Sequence, residues 1–270
     1  MMTRLTEEMI EDIPRTAKER SDELQKVIGI DLKTLAFRAV GEDPNDYDLS
    51  QYLTASVPIT AGLGIIGGFS LSVSAILEGM GFKSFVTSKT DIDGIYEALE
   101  NESDIIFTAD DLRYIAYNVR TGIYADNAFA TAAGYVEALD GVANGLKNKD
   151  VLVVGAGLVG SEAMRILTEK GAKVHVTDIQ TDKAEKAALK FKATAISNID
   201  KAISSSKYIL NASPALISGN LISTGAVISS PGLPYSFDAE GEKKSDTIIH
   251  DPLDIGTAVM AAKCVKSFKK

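Results

Sequence analysis

One stretch constrains this chain more than any other: Val151-Leu-Val-Val-Gly155-Ala-Gly157-Leu-Val-Gly160. An apolar, β-branched run reads as a buried strand, and it leads directly into G-x-G-x-x-G with a helix opening on the last glycine. Gly155 permits the tight turn, Gly157 lets the backbone approach a pyrophosphate, and Gly160 allows close helix–strand packing. The helix start, with Leu158 and Val159 in its first turn, supplies free N–H groups and a positive dipole for a phosphate. The next strand, Lys173–Thr177, runs into Asp178 at about the ~20-residue distance where an acid reads ribose hydroxyls. No arginine follows Asp178 closely, so a 2′-phosphate would meet a carboxylate. NAD is the expected cofactor.

The same alternation continues to the end of the chain. Val151–Val154, Lys173–Thr177, Tyr208–Asn211, Ala226–Ser230 and Thr247–His250 read as strands, and Val159–Lys170 as a helix. Strands alternating with helices predict a parallel, doubly wound sheet. Ligands sit beyond the carboxyl ends of such strands, where Ala212, Ser213, Pro214, Pro231 and Asp251 lie. These residues are candidates for the nicotinamide side, although Pro and Gly also end strands as ordinary turn chemistry.

The first half reads as a smaller α/β unit. Thr6–Ile28 predicts one or two amphipathic helices broken near Pro14, and Gly41–Asp48 a polar loop. Val57–Thr60 predicts a short strand entering the glycine-rich turn Gly62–Gly68, followed by a helix over Phe69–Met80. Strands are expected at Ser84–Thr87 and Asp104–Thr108, and helices at Asp110–Asn118 and Ala128–Leu139. The fold class is therefore α/β: a C-terminal doubly wound Rossmann domain, residues 148–270, behind a smaller N-terminal α/β domain with leading amphipathic helices, residues 1–147. The tail Lys263–Lys270 is expected to be a solvated helix end.

Composition removes several function classes. The 28 basic and 37 acidic residues leave a formal charge of −9, which disfavours a nucleic-acid partner. No apolar run is long enough for a membrane span, and the N-terminal residues lack the continuous apolar region of a secretory signal. A single cysteine, Cys264, excludes an internal disulfide, and two histidines exclude a His-rich metal cluster. No metal site is expected. A cytoplasmic enzyme acting on a small molecule fits best, with a homodimer left open.

The glycine-rich turn, Pro58-Ile59-Thr60-Ala61-Gly62-Leu63-Gly64-Ile65-Ile66-Gly67-Gly68-Phe69-Ser70, could hold an anion on a helix start or could be a plain βα connection. Asp110-Asp111 ends a predicted strand; one acid would cap the next element while the other faces a ligand. Asp126-Asn127 reads either as a cap pair or as a pair of ligands. His175 and His250 fall in predicted core strands and read as core histidines.

Taken together, V-P-I-T-A-G-L-G-I-I-G-G-F-S, T-A-D-D, V-L-V-V-G-A-G-L-V-G, S-P-G-L-P and D-P-L-D-I-G-T-A resemble the pyrrolysine synthase family over nearly the whole chain. The resemblance implies NAD-dependent oxidation of the terminal amine of L-lysine-Nε-3-methyl-D-ornithine, loss of ammonia and closure of a pyrroline ring. It further implies that Asp110 acts at the reacting amine, and that Leu5, Ile59, Thr60, Ile66, Phe69, Ser70 and Asn127 contact this lysyl-ornithine pseudo-dipeptide. The chain departs from the family pattern at Ala61 and Leu63, where members carry Ser and Asn, and at Asp251, which replaces Glu. A different two-domain NAD-dependent amino-acid or shikimate-type dehydrogenase, and a non-catalytic NAD-binding module, are the competing readings.

Overall fold

The computed structural model describes residues 5–269. In chain order the elements are α1 (Ile13–Ile28), α2 (Leu32–Ala39), β1 (Leu53–Val57), α3 (Phe69–Met80), β2 (Lys83–Val86), α4 (Asp91–Glu100) and β3 (Ile105–Ala109). They continue with β4 (Tyr114–Asn118), β5 (Tyr124–Asp126), α5 (Asn127–Val142), β6 (Asp150–Val154), α6 (Leu158–Glu169), β7 (Lys173–Thr177) and α7 (Thr181–Phe191). The last are β8 (Thr194–Ala195), α8 (Ile199–Ser204), β9 (Tyr208–Asn211), β10 (Ala226–Ser229), α9 (Ala239–Lys244), β11 (Ser245–Ile249) and α10 (Asp254–Lys266). Two compact units result. The first takes in residues up to Lys26, Ile30–Ala130 and Pro252 onward; the second takes Val27–Gly29 and Thr131–Asp251.

The first unit is a sheet in the order β2-β1-β3-β4-β5, with β1 to β3 parallel and β4 and β5 antiparallel. Residues 110–118 are not a helix: Tyr114-Ile-Ala-Tyr-Asn alternates in burial and pairs antiparallel with β3, Ala109 opposite Tyr114. Alternation with period 2 suits a half-buried strand, and Asp110–Arg113 is long enough to be only its hairpin turn. The strand expected at Val57–Thr60 lies earlier, at Leu53–Val57, so that Pro58–Thr60 already belongs to the loop.

Over Lys263–Phe268 the tail is not a solvated end either, and Lys270 lies outside the described residues. Helix α10 is buried on almost every face, with Val259, Met260, Cys264 and Val265 inaccessible to solvent. A helix apolar all round belongs inside a core. It packs on α2, α3, β4 and β5, and the Asn118 side chain donates to Cys264 O at 2.9 Å and to Ser267 Oγ at 3.0 Å. Division of the chain at 147/148 is corrected accordingly: the last helix closes the first unit, because the apolar surface it covers is there.

The second unit is the expected doubly wound sheet. All six strands are parallel, in the order β11-β10-β9-β6-β7-β8, with the order reversing between β6 and β9. Val151, Val153, Val174, Val176 and Leu210 pack with Ala163, Met164 and Leu167 of α6 in its core. Among the described residues no helix is long and apolar enough to cross a membrane.

Candidate functional site

In the second unit the three glycines of the turn after β6 have three different reasons to be glycine. Gly155 has φ of +94°, a left-handed value that side chains avoid. A Cβ on Gly160 would lie 1.9 Å from Gly155 O, so α6 approaches β6 only because that atom is missing. A Cβ on Gly157 would meet nothing within 4 Å. Its neighbourhood is open, which is what backbone reserved for a pyrophosphate requires. Leu158 is exposed and Val159 half-buried at the start of α6, whose first-turn N–H groups have no acceptor within the helix itself.

Asp178 lies at the end of β7. Its Oδ2 accepts from Ala156 N at 2.8 Å and its Oδ1 from Gln180 N at 2.9 Å. The acid is thereby held beside the glycine turn. Lys183, in the first turn of α7, brings its Nζ to 3.6 Å from Oδ2. Sequence spacing gave no sign of that cation.

At the β9 and β10 ends, two loops cross closely. Gly232 N donates to Asn211 O at 2.9 Å, and a Cβ on Gly232 would lie 2.2 Å from Ser213 O. Asn211 Oδ1 accepts from Ser213 N, and its Nδ2 donates to Ser230 Oγ. Ala212, Ser213, Pro214 and Pro231 are thus fixed at the carboxyl edge of the sheet by the buried Asn211. Ala212 has a packing role as well, since its Cβ would be 3.5 Å from a Cβ on Gly160. Beyond β11, the Asp251 N–H donates to Tyr135 Oη at 2.7 Å. His250 Nδ1 lies 2.9 Å from Ser230 O, and His175 Nε2 lies 2.9 Å from Asp150 Oδ1. Both histidines are partnered within this unit.

The first unit gathers its polar residues at the carboxyl ends of β1 and β3, which run side by side with Val57 opposite Thr108. Thr60 is exposed just beyond β1, behind the half-buried Ile59. Asp110 is exposed in the β3–β4 turn, where its Oδ1 accepts from Leu112 N and Arg113 N, both at 2.7 Å. It caps a hairpin turn, not a helix. Asp111 points the other way: its Oδ2 accepts from Leu63 N at 2.6 Å, and a Cβ on Gly62 would collide with it. The glycine-rich segment is therefore tied to the acid pair, and Gly62, at φ +71°, could be no other residue without displacing Asp111.

Phe69 and Ser70 begin α3, with Ile66 accepting the Phe69 N–H. The Phe69 ring meets Tyr114 edge-on at 5.2 Å, and Tyr114 Oη lies 2.9 Å from Thr257 Oγ1 of α10. Burial pushes the Tyr114 phenol far above its ordinary range, so it stays neutral. Asp126 Oδ1 accepts from Ala128 N at 2.9 Å and caps α5, which leaves Asn127 as the first residue of the helix. Leu5 is half-buried in the N-terminal segment. That segment covers the glycine-rich loop, since a Cβ on Gly67 would meet the Glu7 carboxylate at 2.3 Å.

In the first unit, two contacts had no signal in the sequence: Asp91 on Thr60, with Oδ2 2.6 Å from Oγ1, and Asp111 on Leu63. Each joins residues tens of positions apart. Among the described residues no group of three His, Cys, Asp or Glu side chains could hold a metal ion.

Residues 9–125 match the family model for the N-terminal domain of the pyrrolysine biosynthesis protein PylD, and residues 123–230 that for the C-terminal domain of alanine dehydrogenase/PNT. The pyrrolysine synthase of Methanosarcina acetivorans is 36% identical over 262 residues, which cover 96% of this chain and 98% of that one. That of Methanosarcina barkeri is 34% identical over 264 residues, covering 96% and 97%. Among solved structures, shikimate dehydrogenase from Aquifex aeolicus superposes with a TM-score of 0.55 at 15% identity, over 82% of this chain and 92% of that one. Quinate dehydrogenase from Corynebacterium glutamicum, in complex with NAD, gives 0.54 at 14%, over 81% and 92%. These two likenesses concern the fold. The sequence likeness reaches further, since it runs through both units and nearly the full length of each relative: the chain belongs to the pyrrolysine synthase family.

Proposed function

We propose that this protein oxidises the terminal amine of L-lysine-Nε-3-methyl-D-ornithine with NAD and closes the pyrroline ring of pyrrolysine. One observation carries the reading: identity of 34–36% to two pyrrolysine synthases over 96% of the chain. The amine-bearing carbon gives up a hydride and the nitrogen a proton, leaving an imine. The α-amine of the same ornithyl moiety adds to that carbon, ammonia departs, and a five-membered cyclic imine remains.

NAD, when bound, accepts the hydride. Gly155, Gly157, Leu158, Val159 and Gly160 would hold its pyrophosphate, and Asp178 its ribose. Ala212, Ser213, Pro214, Pro231 and Asp251 are proposed to line the nicotinamide side, and the open space at Gly157 supports the assignment.

Hydride departure needs a neutral amine, whereas a primary alkylamine in water has a pKa near ~10.4. Asp110 is proposed to take the amine proton. Its exposed carboxylate in the β3–β4 turn supports that role, since only Oδ1 is used by the turn's two N–H groups. Thr60, Phe69, Ser70, Ile59, Ile66 and Asn127 are proposed to position the substrate, and Leu5 to cover it against water, which would hydrolyse the imine. Orientation of both amines of one molecule contributes several kcal/mol to ring closure, of order ~7 in favourable intramolecular systems.

The deciding experiment incubates the protein with NAD and the pseudo-dipeptide. NADH absorbance should grow, and mass spectrometry should show a product lighter by one ammonia and two hydrogens. Turnover of only an α-amino acid or a hydroxy acid would replace this reading with a different dehydrogenase.

A further inference from the structure

Thr60 and Asp91 are 31 positions apart and bonded twice. Thr60 Oγ1 lies 2.6 Å from Asp91 Oδ2, and Thr60 N lies 2.8 Å from Asp91 Oδ1. The clamp is reciprocal, because Asp91 N donates to Pro58 O at 2.9 Å. Asp91 occupies the left-handed region, φ +55°, at the first position of α4, a conformation that Asp and Asn tolerate better than other side chains. Thr90 Oγ1 donates to the same Oδ2 at 2.9 Å. Three donors thus converge on one carboxylate, which holds its pKa below the ordinary aspartate range, the Thr60 hydroxyl contributing most.

An ionised carboxylate only accepts hydrogen bonds, so the proton in the Thr60–Asp91 contact belongs to Thr60. A hydroxyl has a single proton and two lone pairs. Thr60 is exposed, so those lone pairs remain accessible to a ligand. We propose that Asp91 is a specificity-determining residue: by holding the only Thr60 proton it makes that hydroxyl an acceptor alone, which takes an N–H of a substrate amino group and refuses a carboxylate. Asp91 acts through Thr60 and is a positioning residue. The proposal rests on the functional reading above for the identity of the substrate. It adds which polar group Thr60 reads.

The test uses full-length protein loaded with NADH, so that binding is measured calorimetrically without turnover. The probes are L-lysine-Nε-3-methyl-D-ornithine and two analogues, each with one ornithyl amino group replaced by hydrogen. Thr60→Val should weaken the complete probe by on the order of 10-fold or more, the scale of a hydrogen bond to a charged group. One analogue should lose far less, because the amine that Thr60 reads is already gone. Thr60→Ser should restore the wild-type pattern, and Asp91→Asn, which frees the Thr60 proton, should narrow the gap between the complete probe and that analogue. Equal losses for all three probes, or no loss for any, would overturn the proposal. If the unaltered protein fails to bind the pseudo-dipeptide, the functional reading falls separately. D-ornithine against D-glutamate then decides the donor rule: a Thr60-dependent preference for ornithine sustains it, while preference for glutamate, or binding of neither, overturns it.

Discussion

The backbone N–H of Ala156 donates to Oδ2 of Asp178 at 2.8 Å, joining the glycine turn after β6 to the acid that ends β7. The bond fixes where the carboxylate stands relative to the turn, and so where a ribose hydroxyl would have to meet it. Lys183 is the nearby cation, 3.6 Å from the same oxygen.

Cofactor choice follows from that pair. If Asp178 reads the ribose as proposed, the unaltered protein should turn over with NAD and poorly with NADP, because a 2′-phosphate would meet its carboxylate. Asp178→Ser should remove the repulsion and leave Lys183 free to pair with the phosphate, raising the NADP-to-NAD ratio of kcat/KM by about 10-fold or more. Adding Lys183→Ala should take most of that gain back. Equal use of both cofactors by the unaltered protein would contradict the assignment.

At Asp110, two substitutions separate chemistry from folding. Asp110→Asn keeps an Oδ1 that can accept from Leu112 N and Arg113 N, so the hairpin turn survives and the melting temperature should stay within a degree or two. Turnover should fall by roughly 10²-fold, the scale of a lost general base. Asp110→Ala loses the turn contacts as well and should cost about 1 kcal/mol, or ~2–4 °C for a chain of this size. Normal turnover in the Asn variant would retire the catalytic role, and both measurements can be made on one preparation.

Cutting away the N-terminal segment tests more than a cover. Ile10 and Ile13 are 0% and 1% exposed, and Ile10 O accepts from Ser72 Oγ of α3 at 3.0 Å. Deleting residues 1–13 should therefore destabilise the first unit by several kcal/mol, since each buried isoleucine alone is worth ~2–5. Leu5→Ala is the cleaner test of a cover: unchanged melting temperature with reduced kcat is expected. Full activity in that variant would leave Leu5 without a role in the reaction.

Cys264 offers a pH-dependent readout. Burial pushes its thiol up to about 12, against ~8.5 for an exposed cysteine. Above pH ~8.5 the unfolded chain gives up this proton before the folded one, so the contribution to stability is complete below that pH and declines as pH rises toward 12. Cys264→Ala should lower stability at neutral pH yet flatten this alkaline slope in urea titrations. The native thiol should react with an aromatic disulfide reagent only at the rate of unfolding.

Much of the second unit was legible from local pattern. A strand, three glycines and an acid act over short distances, and each glycine does what its place in the motif requires: a positive φ, an open face, a close contact. Helix α3 begins at Phe69 and ends at Met80 as its periodicity predicts, because the flanking Gly68 and Gly81 both take left-handed φ. The helix expected over Asp110–Asn118 is instead a turn and the strand Tyr114–Asn118, because a five-residue alternation is too short to outweigh the helical reading of the nine residues together. Pairing with β3 decided it, and that is a contact between segments.

Residues near one another along the chain were enough to specify the glycine motif after β6, the parallel sheet behind it and the polar glycine-rich loop. Tertiary structure alone decided that α10 belongs to the core of the first unit, that Asp111 holds Leu63 while Asp110 stays exposed, and that Asp91 accepts the Thr60 hydroxyl hydrogen bond. The physical reason is the same in each case. Burial and hydrogen-bond partnership are properties of what folding brings alongside a residue, and in these contacts the partner lies 31 or more positions away.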